Sequence, residues 1–440
     1  MENVSLTNDQ DVARAKILDW YTTYKTTKKQ LFVLSGYAGT GKTFLIDYLI
    51  EQLDLHDEEV AFGTPTGKAA SVLIQRGRKA STIHRLIYTP IEEEYNTKVN
   101  GEIVKSKKVS FVKIDDVLNY KLIVIDEISM VDNKMMKDLL SFGIPVLATG
   151  DQGQLPPING DNDFINEPDA ELEEIVRQSL DNPIVKLATM ARHGEDIPYG
   201  DYGTVLVMNR NMLTPPQMQN LLLKANQVLC GTNKTRKYWN DEIRKYKGID
   251  IIENPLPIEG DKVICTVNNW TIYLDDEEKF NLVNGTIGNI VKAEQIDMGI
   301  NLGKLSFEPD FLKGSTTDDI LFDTGIFIKK KWSYDMHQRA YFMKDGTFKL
   351  KKWLSKKTEK ESMDEFRKRV MEYIRTEKGS LLDKQINRLE FGYVVSCHKA
   401  MGSEWDKVVI FDESYIFGEN ASNWLYTSIT RSKKKLVIIR

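Results

Sequence analysis

The chain has 440 residues, 41% hydrophobic and 28% charged, with Lys plus Arg at 60 against Asp plus Glu at 64. Domains usually hold about 100 to 200 residues, so this length predicts two to four domains, each with a sizeable core. A net charge of −4 excludes a whole-chain basic field, and any nucleic-acid binding must then use local patches such as Lys105, Lys107 and Lys108, Lys329 to Lys331, or Lys349 to Lys357. No apolar run is long enough to span a bilayer. The opening MENVSLTNDQDVARAK lacks the apolar centre of a secretory signal, so a cytoplasmic protein with no membrane partner is expected. The three cysteines, Cys230, Cys265 and Cys397, lie far apart, which fits a reduced compartment and excludes a CxxC metal framework.

Short apolar runs recur in chain order, each closing on Gly, Asp, Ser or Thr: LFVLSG (31–36), VAFGT (60–64), KLIVIDE (121–127) and IPVLATGD (144–151). This is the pattern of buried parallel strands whose C-terminal ends carry chemistry. Helical spacing fills the gaps, as in Thr43 to Leu53. Residues 86–117 hold Asn100-Gly101 between TKV and EIV and read as a projecting β-hairpin. A second series follows: QVLCGT (227–232), FGYVVSC (391–397), KVVIFDES (407–414) and KKLVIIR (434–440). Two doubly wound α/β domains are the economical reading. Between them, residues 255–390 hold short strands separated by Gly and Asn turns, which predicts a small inserted β-barrel, and residues 357–375 read as a charged amphipathic helix.

The stretch GYAGTGKT follows an apolar strand and opens a helix, the context a phosphate-binding loop demands. Gly36, Ala38, Gly39, Thr40 and Gly41 let backbone N–H groups approach phosphates, Lys42 reaches the β and γ phosphates, and the Thr43 hydroxyl suits Mg²⁺. Such a loop needs a carboxylate across the sheet, and Asp126 with Glu127 supplies it at the end of LIVI. ATP and Mg²⁺ are the expected cofactors, with Thr43 and Asp126 as the metal-binding side chains.

VIDEISMVD followed by ATGDQGQLPPI resembles motifs II and III of superfamily 1 helicases of the RecD and Dda type. TPTGKAA (64–70), STIH (81–84), LEEIVRQ (172–178), GTN (231–233), SCHKAMGSE (396–404) and LYTSITRSKK (425–434) extend the resemblance in family order across nearly the whole chain. It implies an α/β chain of two RecA-like domains: 1A from 1–85 and 118–171, a pin 1B from 86–117, 2A from 172–254 and 391–440, and an SH3-like 2B from 255–390. It implies that Gln154 contacts the γ-phosphate or the attacking water, and that Arg177 and Arg431 act as arginine fingers. Gln10 is implied to read adenine, although Thr7 to Gln10 also reads as a capping box. Glu404 is implied to sit by the ribose or in the motif V network. Met401 departs from the family, which has Gln before this glycine.

For single-stranded DNA the resemblance implies a backbone-centred groove lined by Thr64, Pro65, Thr66, His84, Asn233, His398 and Lys399, where both histidines alone read equally as core or capping residues. Trp270 is a stacking candidate. The implied activity is an ATP-dependent DNA helicase moving 5′ to 3′, with duplex junctions as substrate and a single-strand-binding protein or replisome component as partner. A monomeric, phage-type accessory helicase for replication or recombination fits the compact chain, and would then work in the host cytoplasm. Two other readings are a translocase that displaces proteins or drives branch migration with little unwinding, and a non-motor ATPase or small-molecule kinase.

Overall fold

A computed structural model describes the chain except for residues 1–5, 100–101, 115–118, 157–163, 166, 177–180, 276–279, 296–301, 318, 329–339, 343–347 and 351–385. Two compact units emerge: Met1–Ile87, Asp115–Lys247 and Tyr393–Arg440 form the first, and Tyr88–Ile114 with Gly248–Gly392 the second.

The chain enters through α1 (Asn8–Thr27), whose capping box is built as the sequence predicts, Thr7 accepting from Gln10 N and Gln10 accepting from Thr7 N. Then come β1 (Leu31–Gly36), α2 (Lys42–Gln52), β2 (Val60–Thr64), α3 (Gly67–Gln75), β3 (Ala80–Thr82) and α4 (Ile83–Ile87). The second unit's β4 (Tyr88–Val99) and β5 (Glu102–Lys113) follow, before the chain returns as β6 (Leu122–Ile125), α5 (Asn133–Leu140), β7 (Val146–Gly150) and β8 (Ala170–Leu172). The first sheet has the order β3-β2-β6-β7-β1-β8, and all its pairings are parallel. Its central strands are buried on both faces, which is why they read as unbroken apolar runs. Ile17 and Trp20 of α1 and Leu45 and Leu49 of α2 pack with Phe32, Leu34 and Val124 into one core.

The second sheet of this unit begins with α6 (Pro183–Arg192), β9 (Gly200–Asp201), β10 (Val205–Met208), α7 (Pro215–Lys224), β11 (Gln227–Cys230) and α8 (Asn233–Tyr246). It is completed after the second unit by β22 (Val394–Ser396), α9 (Cys397–Ala400), β23 (Trp405–Phe411), α10 (Ala421–Ile429) and β24 (Ser432–Ile439). The order is β22-β11-β23-β24-β10-β9, parallel except for the β9–β10 pair. Two parallel α/β sheets are thus present, as the sequence predicts.

In the second unit, β4 and β5 pair antiparallel with Val99 opposite Glu102. The connection is therefore residues 100–101, the expected Asn-Gly turn, which lies outside the described residues. The unit also contains β12 (Lys262–Cys265), β13 (Asn269–Tyr273), β14 (Asn281–Leu282), β15 (Ile287–Gln295), β16 (Leu302–Pro309), β17 (Ile320–Asp323), β18 (Ala340–Phe342), β19 (Phe348–Leu350), β20 (Ile386–Asn387) and β21 (Leu389–Phe391). Its main sheet runs β20-β17-β16-β15-β12-β21. Both edges belong to one chain segment bent at Arg388, whose carbonyl accepts from Thr266 N at 2.8 Å and Thr266 Oγ1 at 3.0 Å. A buried amide relay, Asn269 Nδ2 to Asn387 Oδ1 and Asn387 Nδ2 to Leu321 O, both 2.8 Å, fixes that bend.

The run FGYVVSC is not one strand. Phe391 ends β21 and Val394 begins β22 of another sheet, with Gly392 between. A Cβ on Gly392 would lie 2.8 Å from Val263 C, so the close approach there requires glycine. The predicted helix 357–375 and Lys329–Lys331, Lys351, Lys352, Lys356 and Lys357 fall outside the described residues, as do the side chains of Lys105, Lys107, Lys108, Lys349 and Trp270.

Candidate active site

The phosphate loop bridges β1 and α2, and Gly39 and Gly41 hold φ of 84° and 79°, values that side chains resist. Gly41 is doubly constrained, because a Cβ there would lie 2.5 Å from Gln10 Nε2. Gln10 is buried and donates Nε2 to Thr40 O at 2.9 Å while its Oε1 accepts from Thr7 N at 3.0 Å. Its capping role and its place at the loop thus coexist, and one amide hydrogen and one lone pair are left over. Lys42 Nζ donates to Gly36 O at 2.5 Å and Tyr37 O at 3.2 Å. Thr40 Oγ1 donates to Tyr37 O at 2.9 Å, which stiffens the turn from inside.

Across the sheet, β6 delivers Asp126, whose Oδ1 accepts from Thr149 Oγ1 at 2.7 Å and Glu127 N at 3.0 Å. Glu127 adopts φ 59°, a left-handed conformation costly for a residue with a Cβ, which is the kind of strain found at functional sites. Burial, then the neighbouring Asp126 charge, pushes the Glu127 carboxyl up to about 7, while Arg431 and Lys42 pull the other way. Such a group is poised to take a proton near neutral pH. Past β7, Gln154 is buried and its Oε1 has no hydrogen-bond partner among the described residues.

The second sheet reaches the same place through α10. Asn423 Nδ2 donates to Gly153 O at 3.0 Å, Tyr426 OH donates to Asp151 Oδ2 at 2.6 Å, and Thr427 Oγ1 accepts from Leu155 N at 2.9 Å. One turn later Arg431, 4% exposed, donates Nε to Thr427 O at 3.0 Å, Nη1 to Ser403 O at 3.4 Å and Nη2 to Thr430 Oγ1 at 3.0 Å. All these acceptors are neutral, and the buried cation makes no direct salt bridge among the described residues, yet it lies near enough to Glu127 to act on its charge.

A cavity of about 930 Å³ gathers Gln10, Ala38, Gly39, Gly41, Lys42, Thr43, Asp126, Glu127, Gln154, Glu404 and Arg431 of the predicted set. Gly36 and Thr40 shape the loop from behind. Glu404 is exposed, 3.9 Å from Lys433 Nζ. Arg177 lies outside the described residues, but Val176 before it lines the cavity and donates its N–H to Gly39 O at 3.0 Å. Met401, the departure from the family pattern, is buried.

The seven residues predicted for DNA lie off the cavity, at or just past C-terminal ends of parallel strands. Thr64 closes β2 and donates Oγ1 to Thr66 O at 2.8 Å, Pro65 follows it, and Thr66 caps α3 by accepting from Ala69 N at 3.2 Å. His84 sits in α4 after β3, and burial lowers its pKa against the opposing pull of Asp132. Asn233 opens α8 and accepts from Arg236 Nε at 3.2 Å. The turn before it is clamped by Glu413, which accepts from Gly231 N at 2.7 Å and Thr232 N at 2.8 Å. His398 and Lys399 lie in α9, where burial lowers the His398 pKa and Phe417 packs 5.8 Å from its ring. Sequence reasoning assigned no role to Thr149, Asp151 or Tyr426, although each lies inside or beside a quoted motif. The three cysteines are buried and not in disulfides, and burial pushes Cys230 up to about 12 and Cys397 up to about 11, so these two stay as inert thiols.

Among the described residues no helix is long and apolar enough to cross a membrane. The AAA domain family matches residues 19–206, and the UvrD-like helicase C-terminal domain family matches residues 391–439. An ATP-dependent RecD2 DNA helicase of Deinococcus radiodurans is 30% identical over 290 residues, covering 60% of this chain and 36% of that protein. The ATP-dependent DNA helicase dda of Enterobacteria phage T4 is 31% identical over 183 residues, covering 38% of this chain and 39% of that protein. The chain thus spans well under half the length of these relatives. A Bacteroides Pif1 helicase solved in complex with ADP-AlF3 and single-stranded DNA is 18% identical, covering 99% of this chain and 92% of that one at a TM-score of 0.46, a likeness too loose to argue from.

Proposed function

We propose that this chain is an ATP-dependent DNA helicase of superfamily 1, of the RecD and Dda type, moving 5′ to 3′ on single-stranded DNA. The observation that carries the reading is the cavity itself: phosphate loop and carboxylates come from one sheet, Arg431 from the other. A site shared between two sheets is complete only when both are together, so nucleotide turnover drives their opening and closing. The two family matches, in this order along the chain, and the two helicase relatives support the same conclusion.

In this mechanism the backbone of residues 38–43 and Lys42 hold the phosphates. Thr43 and Asp126 suit Mg²⁺: both line the cavity, both offer hard oxygen, and Asp126 Oδ2 is free of the two bonds that fix Oδ1. Bound there, the ion would neutralise phosphate charge. Glu127 accepts the proton of the attacking water, which the Gln154 amide orients. Arg431 and Arg177 spread the charge that develops on the transferred phosphoryl group. Gln10 uses its spare donor and acceptor on the adenine edge, and Glu404 lies toward the ribose. The DNA strand runs past Thr64, Pro65, Thr66 and His84, then Asn233, His398 and Lys399, with the β4–β5 hairpin as the separating pin. The bent β20–β21 segment that joins both edges of its sheet supports an SH3-like barrel for the inserted domain. ATP hydrolysis measured with and without single-stranded DNA tests the reading: DNA should stimulate turnover, and a DNA-indifferent rate would contradict it.

A further inference from the structure

Tyr426 is buried at 2% exposure, yet its hydroxyl makes two polar contacts with the other sheet's loops. It donates to Asp151 Oδ2 at 2.6 Å and accepts from the Ala38 N–H of the phosphate loop at 2.8 Å. Asp151 has little freedom, because its Oδ1 accepts from Gly153 N at 2.9 Å. The ring is equally confined. It meets Tyr37 edge-on at 6.5 Å and 88°, and the Arg192 guanidinium covers the Tyr37 ring, 3.5 Å from its centre. A Cβ on Gly153 would lie 2.9 Å from Tyr426 Cε1, so that glycine leaves just enough room for the ring.

We propose that Tyr426 is a positioning residue for hydrolysis, the side chain through which α10 reads the phosphate loop and sets the reach of Arg431. This rests on the helicase reading above. Asn423, Tyr426 and Thr427 share one face of α10 and all bond residues 151–155, so the helix is registered against that loop at consecutive turns. Arg431 follows on the same turn spacing and is tied to the helix by its bond to Thr427 O. Ala38 and Asp151 both line the cavity, so a phosphate group that draws on the Ala38 N–H or shifts Asp151 changes the anchor of Tyr426. The helix then re-registers, and Arg431 moves with it. Tyr426 thereby converts occupancy of one loop into placement of the charge that stabilises the transition state.

The test is Tyr426→Phe, which keeps the ring and removes both bonds. With saturating single-stranded DNA, kcat for ATP should fall roughly ten- to hundredfold, the scale of small misplacements at a reacting centre, while KM moves far less. Asp151→Asn, which leaves one acceptor oxygen for two donors, should show a smaller loss. The double variant should be no worse than Tyr426→Phe alone, because both act through one link. Unchanged kcat in Tyr426→Phe, or fully multiplicative losses in the double variant, would overturn the proposal; a lowered melting temperature with unchanged kcat would reduce Tyr426 to a packing residue. If Tyr426→Phe does not fold, Asp151→Asn alone decides by the same kcat-against-KM split. Parent protein run in parallel separates the two levels: a parent not stimulated by DNA sinks the helicase reading, whereas a stimulated parent with an equally active Tyr426→Phe sinks only this one.

Discussion

Arg431→Ala removes a guanidinium that is 4% exposed, held by three hydrogen bonds to neutral oxygens, and near enough to Glu127 to lower that carboxyl's pKa. A buried cation held mainly by dipoles, with the Glu127 carboxyl nearby, pays part of its desolvation in the resting protein and recovers it when a polyanion enters the cavity. Losing it should cost turnover on the scale of arginine fingers, about a thousandfold in kcat or roughly 4 kcal/mol of barrier, with ATP still bound. Stability should respond in the other direction or not at all: Arg431→Met, which keeps volume without charge, should melt within roughly 3 °C of the parent. Arg431→Lys keeps the charge but loses the planar fork, so its rate should fall between parent and Arg431→Ala. Steady-state hydrolysis at saturating single-stranded DNA, with nucleotide binding measured separately, checks this. Unchanged kcat in Arg431→Ala, or a loss confined to ATP affinity, would refute the assigned role.

Lys42→Ala should abolish ATP turnover yet retain single-stranded DNA binding, measured by fluorescence anisotropy, because Lys42 contacts the phosphate loop and none of the seven residues assigned to DNA. Glu127→Gln should likewise stop hydrolysis while ATP still binds. It also carries a pH signature: burial raises the folded-state pKa of Glu127 from 4.5 to about 7, so its neutral form is favoured in the folded protein. The parent therefore loses stability as pH rises from about 4.5 through about 7, and in nucleotide-free protein with EDTA the melting temperature of Glu127→Gln relative to the parent should climb across that window, by roughly 5 °C. A pH-independent difference would show that Glu127 is not desolvated.

Several site elements could be read locally because their chemistry is local. β1 and β2 begin and end where the apolar runs LFVLSG and VAFGT do, and the phosphate loop follows from a glycine pattern explained by positive φ at Gly39 and Gly41 and close packing at Gly36. Asp126 and Glu127 were legible because a carboxylate pair closing an apolar strand has few other uses. FGYVVSC misled for a physical reason: a strand pattern reports burial but not which sheet does the burying, and the chain changes sheets at Gly392. β8, only three residues long, gives too little periodicity to read. The Tyr426 link joins positions 388 residues apart and depends on how α10 docks, which no local window contains. For Gln10 the sequence shows the cap and the resemblance implies adenine reading; the folded chain builds the cap and leaves one donor and one acceptor of the amide beyond the Thr7 and Thr40 bonds.

The central claim is that a cavity shared by two sheets drives this chain along DNA in one direction. Unwinding of duplexes carrying either a 5′ or a 3′ single-stranded tail, with ATP and Mg²⁺, tests it most directly. The 5′-tailed duplex should be opened and the 3′-tailed one left intact. Opening of the 3′-tailed substrate alone would contradict the direction, and ATP hydrolysis without opening of either would replace the helicase with a translocase.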